Sequence, residues 1–307
     1  MAFDTIMVFE DHFKNHILPD QTHMINVSFL APEMRRFQGG CAGNIAYNLK
    51  LLGGDPFIMA TVGEDFDSYA KWLDKEGLPR DHVTTIDGQF TAQAFVTTDL
   101  DNNQITAFHP GAMNFAHTNQ AKDAQGIELA IVAPDGRDAM LQHSAQLAAS
   151  GTPFFFDPGQ ALPLFSGEEF ISFFEQATYA IANDYEAQLI SEKTGLSIDQ
   201  LAAKVEAFII TKGGEGSVIY TQNRQIAIPC APISDAKDPT GCGDAYRAGI
   251  LFGVSRGLDW DQCGMIGALC GAIKIEHPGT QNHRFSIVDF AARYQQAFKQ
   301  AYPLVAA

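Results

Sequence analysis

From about Ala116 onward the chain alternates short apolar runs with amphipathic ones, and that alternation restricts its fold more than any other feature. Leu129–Ala133, Phe154–Asp157, Tyr179–Ala182 and Phe208–Thr211 read as strands. They are separated by helical stretches near Arg137–Ser150, Glu168–Gln176 and Glu186–Thr194. Strand, crossover helix, strand is the unit from which parallel sheets are built. A hairpin (Ser217–Tyr220, Gln225–Pro229) and helices near Gly243–Arg256, Trp260–Ile275 and Ile287–Ala301 complete the pattern. The expectation is one large α/β core, which 307 residues with 46% hydrophobic side chains can fill.

The first 110 residues have a different texture. Thr5–Phe9, Met24–Phe29, Thr91–Leu100 and Gln104–Phe108 read as strands, and Asp101-Asn102-Asn103 joins the last two as a hairpin turn. Helical stretches at Asn44–Leu52 and Phe66–Glu76 lie between them.

Charge and cysteine usage exclude several classes. The formal net charge is -16, and no basic run exceeds Arg35-Arg36, so a nucleic-acid partner is not expected. An acidic surface does not exclude phosphate, because backbone dipoles can bind an anion locally. The five cysteines contain no Cys-x-x-Cys pair, which points to reduced thiols in a cytoplasm rather than to disulfides or zinc. No apolar run approaches the roughly 18 residues of a membrane span. No basic-then-apolar leader opens the chain.

In a parallel sheet, ligands gather at the carboxyl ends of the strands. Three polar clusters sit at such ends: Asp157-Pro-Gly-Gln160, Asn183-Asp-Tyr-Glu186 and Thr211-Lys-Gly-Gly-Glu-Gly216. Asn183 and Glu186 share a helix face; they suit either water-mediated Mg²⁺ binding or a capping box. The glycines after Thr211 suit either a nucleotide-phosphate cradle or a turn between strands.

The richest segment is Asp238-Pro-Thr-Gly-Cys-Gly-Asp244. Pro239 bars helix at Asp238, and Gly241 and Gly243 leave the backbone bare where a helix opens. Unpaired N–H groups and the helix dipole make that mouth an anion site. Asp244 in the first turn is either a capping residue or a general base for an attacking hydroxyl, and the surrounding glycines favour the base. A second glycine-rich helix entry, Gly39-Gly-Cys-Ala-Gly-Asn-Ile-Ala46, carries Asn44, whose amide suits sugar hydroxyls. There is no Walker loop, no Gly-x-Gly-x-x-Gly after the first strand, no His-Glu-x-x-His and no Gly-x-Ser-x-Gly.

Together these motifs resemble the ribokinase-like (PfkB) carbohydrate kinase family over essentially the whole chain. Asp238–Leu251 looks like its C-terminal signature, Gly39–Gly54 like its Gly-Gly-x-x-x-Asn-x-Ala signature, and Asn183 with Glu186 like its Asn-x-x-Glu motif. Ala2–Phe9, His16-Ile-Leu-Pro19, Asp101–Ile105 and Phe108–Met113 look most like nucleoside kinases similar to adenosine kinase.

The resemblance implies a three-layer α/β/α ribokinase-like fold over 1–307, with a mostly parallel central sheet and a small β-sheet lid from about 5–37 and 90–110. It implies ATP and Mg²⁺ as cofactors. Asp244 would be the catalytic base, with the amides of Gly241, Cys242 and Gly243 as anion hole. Asn183 and Glu186 would organise Mg²⁺ through water. Asn183, Thr211, Gly213 and Gly216 would line ATP. Asp4, Gly39, Gly40 and Asn44 would hold the ribose, with Gln160 and Phe108 also on the substrate side. A monovalent cation such as K⁺ would sit at Asp238, Thr240 and Gly279.

Two departures stand out. The family's first strand usually opens Gly-Ser-x-Ala, whereas here it reads Met1-Ala2, which bears on where Asp4 falls. Cys242 stands where alanine is common.

The implied reaction is phosphorylation of a nucleoside, purine ribonucleosides foremost, at its 5′-hydroxyl. The alternative within the family is a sugar kinase acting on ribose, fructose or a phosphosugar. The two separate on the lid: Phe13, Phe37, Phe108 and Met113 would sandwich a flat base, whereas Arg35-Arg36 would suit a phosphosugar. A non-catalytic nucleotide-binding regulator is the reading from another class, disfavoured by the intact Asp244, Asn183 and Glu186. The expected state is a monomer or homodimer.

Overall fold

Neighbouring residues of the central strands point into different cores. The computed structural model of the chain describes residues 1–17, 27–101, 103–222 and 224–304. It opens with β1 (Ala2–Val8), β2 (Glu33–Gly39), α1 (Cys41–Leu51), β3 (Met59–Val62), α2 (Asp67–Glu76), β4 (His82–Thr85), β5 (Ala92–Thr98) and β6 (Gln104–His109). The alternating region follows: β7 (Ala130–Val132), α3 (Arg137–Ser150), β8 (Phe154–Phe156), α4 (Gly167–Gln176), β9 (Tyr179–Asn183), α5 (Asp184–Thr194), α6 (Ile198–Ala202) and β10 (Ala207–Thr211). It closes with β11 (Ser217–Thr221), β12 (Gln225–Ile228), α7 (Cys242–Ser255), α8 (Trp260–Ile275) and α9 (Ile287–Phe298).

The six-stranded sheet runs β12-β11-β10-β9-β8-β7, parallel from β7 to β10 and antiparallel across β11 and β12. Phe154, Phe156, Ala180, Ala182, Phe208 and Ile210 enter one core with α3–α6. Phe155, Ile181, Ala207 and Ile209 enter the other with α7, α8 and α9. Side chains alternate faces along a strand, so burial on both faces demands continuous apolar runs such as Phe154-Phe155-Phe156. The result is a three-layer α/β/α fold.

A separate four-stranded sheet, β2-β1-β5-β6, is built from the N-terminal third, with β1 parallel to β5 and the other pairs antiparallel. Its foot is anchored by a third core in which Phe3 packs with Tyr47, Val62, Tyr69 and Leu73.

Three expectations differ from the structure. The strand at Met24–Phe29 lies partly outside the described residues, and 27–29 is not strand; the antiparallel partner of β1 is Glu33–Gly39. That segment, Glu-Met-Arg-Arg-Phe-Gln-Gly, is an edge strand, where charge is expected and the apolar signal is weak. The parallel pair β3 and β4 has no counterpart in the sequence reading. The last helix stops at Phe298 rather than near 301, with Lys299 in left-handed geometry at φ 59°.

Candidate active site

The site is built where α1 and α7 begin. Gly241 caps α7 with φ 80°, a left-handed conformation that glycine adopts without strain, and Thr280 Cγ2 would stand 3.0 Å from any Cβ there. The Cys242 N–H turns back to Pro239 O at 3.1 Å. Of the three amides expected as the anion hole, Gly241 and Gly243 therefore remain without a protein acceptor among the described residues.

Asp244 follows one residue later, half-buried, and its Oδ2 accepts from Asn44 Nδ2 at 2.8 Å. Burial raises its pKa above the usual carboxylate value, opposed by the Asn44 amide and the Arg247 guanidinium. Asn44 is buried, and both ends of its amide are engaged, because Oδ1 accepts from Gln281 Nε2 at 2.9 Å. Gln281 in turn accepts from Trp72 Nε1 at 2.9 Å and lies 2.7 Å from the Tyr69 hydroxyl. In this state Asn44 orients the aspartate, a role beyond the sugar contact expected of it.

Arg247 lies on the same helix face as Asp244, three residues on. It is 8% exposed and pairs through two nitrogens with Asp157, which is 1% exposed; Nη2 donates to Oδ1 at 2.7 Å and Nε donates to Oδ2. Its Nη1 reaches over Gly243, where a Cβ would come within 2.9 Å. The glycine thus makes room for a guanidinium at the helix mouth.

Asp4 lies on β1 against Gly39, whose Cα would place any Cβ into the Asp4 carboxylate. Burial, then the negative charges of Asp244 and Asp238, raise the Asp4 pKa from 3.8 to about 6. Gly40, at φ 81°, brings the start of α1 against the backbone of Met1 and Ala2. Asp4, Gly39, Gly40, Asn44 and Asp244 are therefore brought together at one end of the sheet.

Asn183 and Thr211 end neighbouring parallel strands and sit in register with each other. Asn183 caps α5: Oδ1 accepts from Glu186 N at 2.7 Å, and Asn183 N donates to Glu186 Oε2 at 2.8 Å. The capping box is thus real, and it leaves Glu186 Oε1 without a protein partner among the described residues. Burial raises the Glu186 pKa and Arg247 opposes it, an environment in which a divalent cation would favour the carboxylate. After Thr211, Lys212 N donates to Gly216 O at 2.8 Å, and Gly213 and Gly214 face open space. Gly216, at φ 90°, is pressed against Ile228 O.

Other expected residues stand apart or act differently. Gln160 and Phe108 are exposed, and Phe108 pairs through β6 with Ala94. Phe13 is buried against Phe9 and Phe29 and is not available to sandwich a base. Phe37 lies against Gly279, and Met113 is half-buried. Arg35 pairs with Glu33, and Arg36 pairs with Asp65 at 2.9 Å while covering the Phe3 ring. Thr240 and Gly279 give their N–H groups to the Asp238 carboxylate at 2.9 and 2.7 Å, and Asp238 O accepts from Lys274 Nζ at 2.7 Å. Of the three carbonyls expected around K⁺, that of Asp238 is thereby already engaged by an ammonium.

Arg247, Gln281, Tyr69 and Lys274 escaped the sequence reading. Arg247 had a usable signal in its spacing from Asp244; the others meet their partners only through tertiary structure.

The model of the pfkB family carbohydrate kinases matches residues 7–285. The chain belongs to that family. Among curated relatives of this kinase, the nucleoside kinase of Methanocaldococcus jannaschii is 34% identical over 261 residues, 84% of this chain and 85% of that protein. Among solved structures, the Burkholderia thailandensis nucleoside kinase in complex with inosine superposes with a TM-score of 0.90 at 49% identity, covering 98% of this chain and 96% of that one. The same protein in complex with ADP-inosine gives a TM-score of 0.87 at 50% identity, covering 98% and 94%. Among the described residues of this kinase, no helix is long and apolar enough to cross a membrane.

Proposed function

We propose that this kinase transfers the γ-phosphoryl group of ATP to the 5′-hydroxyl of a ribonucleoside, with Asp244 as general base. The observation that carries this reading is the meeting of Asp244, Asn44 and Asp4 at one helix mouth, in a chain half identical to a nucleoside kinase solved with inosine.

Phosphoryl transfer needs positioning and charge stabilisation more than covalent chemistry. Asp4 and the Gly39-Gly40 backbone would hold ribose hydroxyls, leaving the 5′-hydroxyl toward Asp244. Asp244 Oδ atoms would accept its proton as the new O–P bond forms. The Gly241 and Gly243 amides, the α7 dipole and Arg247 Nη1 would meet the charge on the transferring group. Asn183, Thr211, Gly213 and Gly216 would line the nucleotide. Asn183 and Glu186 would hold Mg²⁺ through water, and the ion would neutralise phosphate charge. The four-stranded sheet would close as a lid and exclude water.

The engagement of Arg35 with Glu33, and of Arg36 with Asp65, supports a nucleoside over a phosphosugar, because neither cation is left free for a phosphate. Exposed apolar side chains on the small sheet, Met34, Phe95 and Ile105, favour a second copy against it. Unpaired thiols and use of ATP favour the cytoplasm.

A coupled ADP-release assay across adenosine, inosine, guanosine, cytidine, ribose and fructose 6-phosphate tests the assignment. Turnover is expected with nucleosides, purines foremost; rapid turnover with the sugars alone would overturn it.

A further inference from the structure

Lys274 belongs to the last turn of α8, and its side chain is 0% exposed. An ammonium so buried is unfavourable unless oxygen atoms replace its water. Here they do. Nζ donates to Asp238 O at 2.7 Å and to His277 O at 3.1 Å, and it lies 3.9 Å from Asp238 Oδ2.

The same few residues fix the loop that enters α7. Asp238 Oδ1 accepts from Thr240 N, and Oδ2 accepts from Gly279 N. Lys237 and Asp238 both donate their N–H groups to Ile275 O, at 2.8 and 3.1 Å. The end of α8, the turn through Gly279 and the segment from Asp238 to Gly241 are thus drawn around a single positive charge. Gly241, Gly243 and Asp244 follow immediately, so this knot sets where the anion-binding amides and the carboxylate stand.

Backbone carbonyls converging on a positive charge are also how a dehydrated alkali cation is held. In this chain the Asp238 carbonyl is already occupied by an ammonium that is covalently attached and cannot diffuse away. We propose that Lys274 acts as a built-in monovalent cation, so that the anion-binding loop is set without K⁺ or Na⁺ and turnover does not depend on either ion. Lys274 is a positioning residue in this scheme: it touches the loop and not the substrate.

The test compares wild-type turnover in potassium, sodium and choline chloride at equal ionic strength. Equal rates are expected; activation by K⁺ over choline overturns the proposal. In Lys274→Met the carbonyls lose their cation. Its turnover in choline is expected to fall about 10- to 100-fold, short of or equal to the loss of a direct oxyanion donor, and to recover in K⁺. A folded Lys274→Met that is fully active in choline, or that responds to no small cation, overturns the proposal. Thermal melting gives a reading that needs no acceptor: K⁺ should raise the melting temperature of Lys274→Met and leave the wild type unmoved. That result stands apart from whether the acceptor is a nucleoside. Should Lys274→Met not fold, the wild-type cation series decides alone.

Discussion

Asn44 Nδ2 donates to Asp244 Oδ2 at 2.8 Å, joining two residues 200 positions apart. The bond fixes one carboxylate oxygen. Because Asn44 Oδ1 is itself held by Gln281, the amide cannot flip without breaking two hydrogen bonds. The Asp244 carboxylate is therefore held in one orientation, which is what the proposed role of general base requires for efficient proton removal.

Asp244→Asn keeps the shape and removes the proton acceptor. Turnover should fall by about 10²–10⁴-fold, while nucleoside binding measured by calorimetry stays near wild type. Near-normal turnover would show that another group is the base.

Gln281→Leu preserves volume but leaves the Asn44 carbonyl and the Trp72 N–H without their partner, while the Tyr69 hydroxyl keeps its bond to Gly39 O. Each buried polar group so stranded costs about 1–3 kcal/mol. Urea denaturation should register a loss of that order, and kcat should drop with the KM for ATP unchanged. A kcat equal to wild type would mean that Asn44 needs no support.

Arg247→Met leaves Asp157 charged and alone in the core. Breaking one side of a buried pair typically destabilises by about 3–5 kcal/mol. Adding Asp157→Leu should restore much of the stability without restoring turnover, since the guanidinium over Gly243 is still missing. Recovery of both in the double variant would reduce Arg247 to a structural role.

Asp4 carries a pH prediction. Its carboxyl takes up a proton in the folded chain at about pH 6, above its ordinary 3.8. The folded form therefore binds more protons between those values. Its ionisation opposes folding as pH rises through 4 to 6, and its proposed acceptance of ribose hydrogen bonds should weaken as pH falls below about 6. KM for the nucleoside should rise on the acid side of pH 6, and Asp4→Asn should abolish that limb while raising KM throughout. An unchanged acid limb in Asp4→Asn would assign it elsewhere.

The sequence announces the central sheet because β8, β9 and β10 are buried on both faces and must be apolar throughout. It conceals β2, whose Glu33, Arg35 and Arg36 are exposed on an edge, and the short pair β3 and β4, whose residues lack a run long enough to stand out. The same contrast governs the site. Glycines at 39–43 and 241–243 are visible because bare backbone before a helix needs a reason. Gln281 and Lys274 are ordinary residues whose partners lie 237 and 36 positions away, and no local pattern marks them. Lys274 left one trace, the single cation in a helix whose residues from Cys263 onward are otherwise apolar.

The arrangement of Asn44, Asp244 and Gln281 also sets an order of events during synthesis. Chains fold from the N-terminal side as they leave the ribosome. A nascent chain exposing residues as far as β12 already holds the strand ends that would face a nucleotide, yet it lacks the helix mouth, the proposed base and the amide that locks Asn44 in place. Phosphoryl transfer through Asp244 is expected only once the last quarter of the molecule closes onto the first residues, so activity would itself report completed folding.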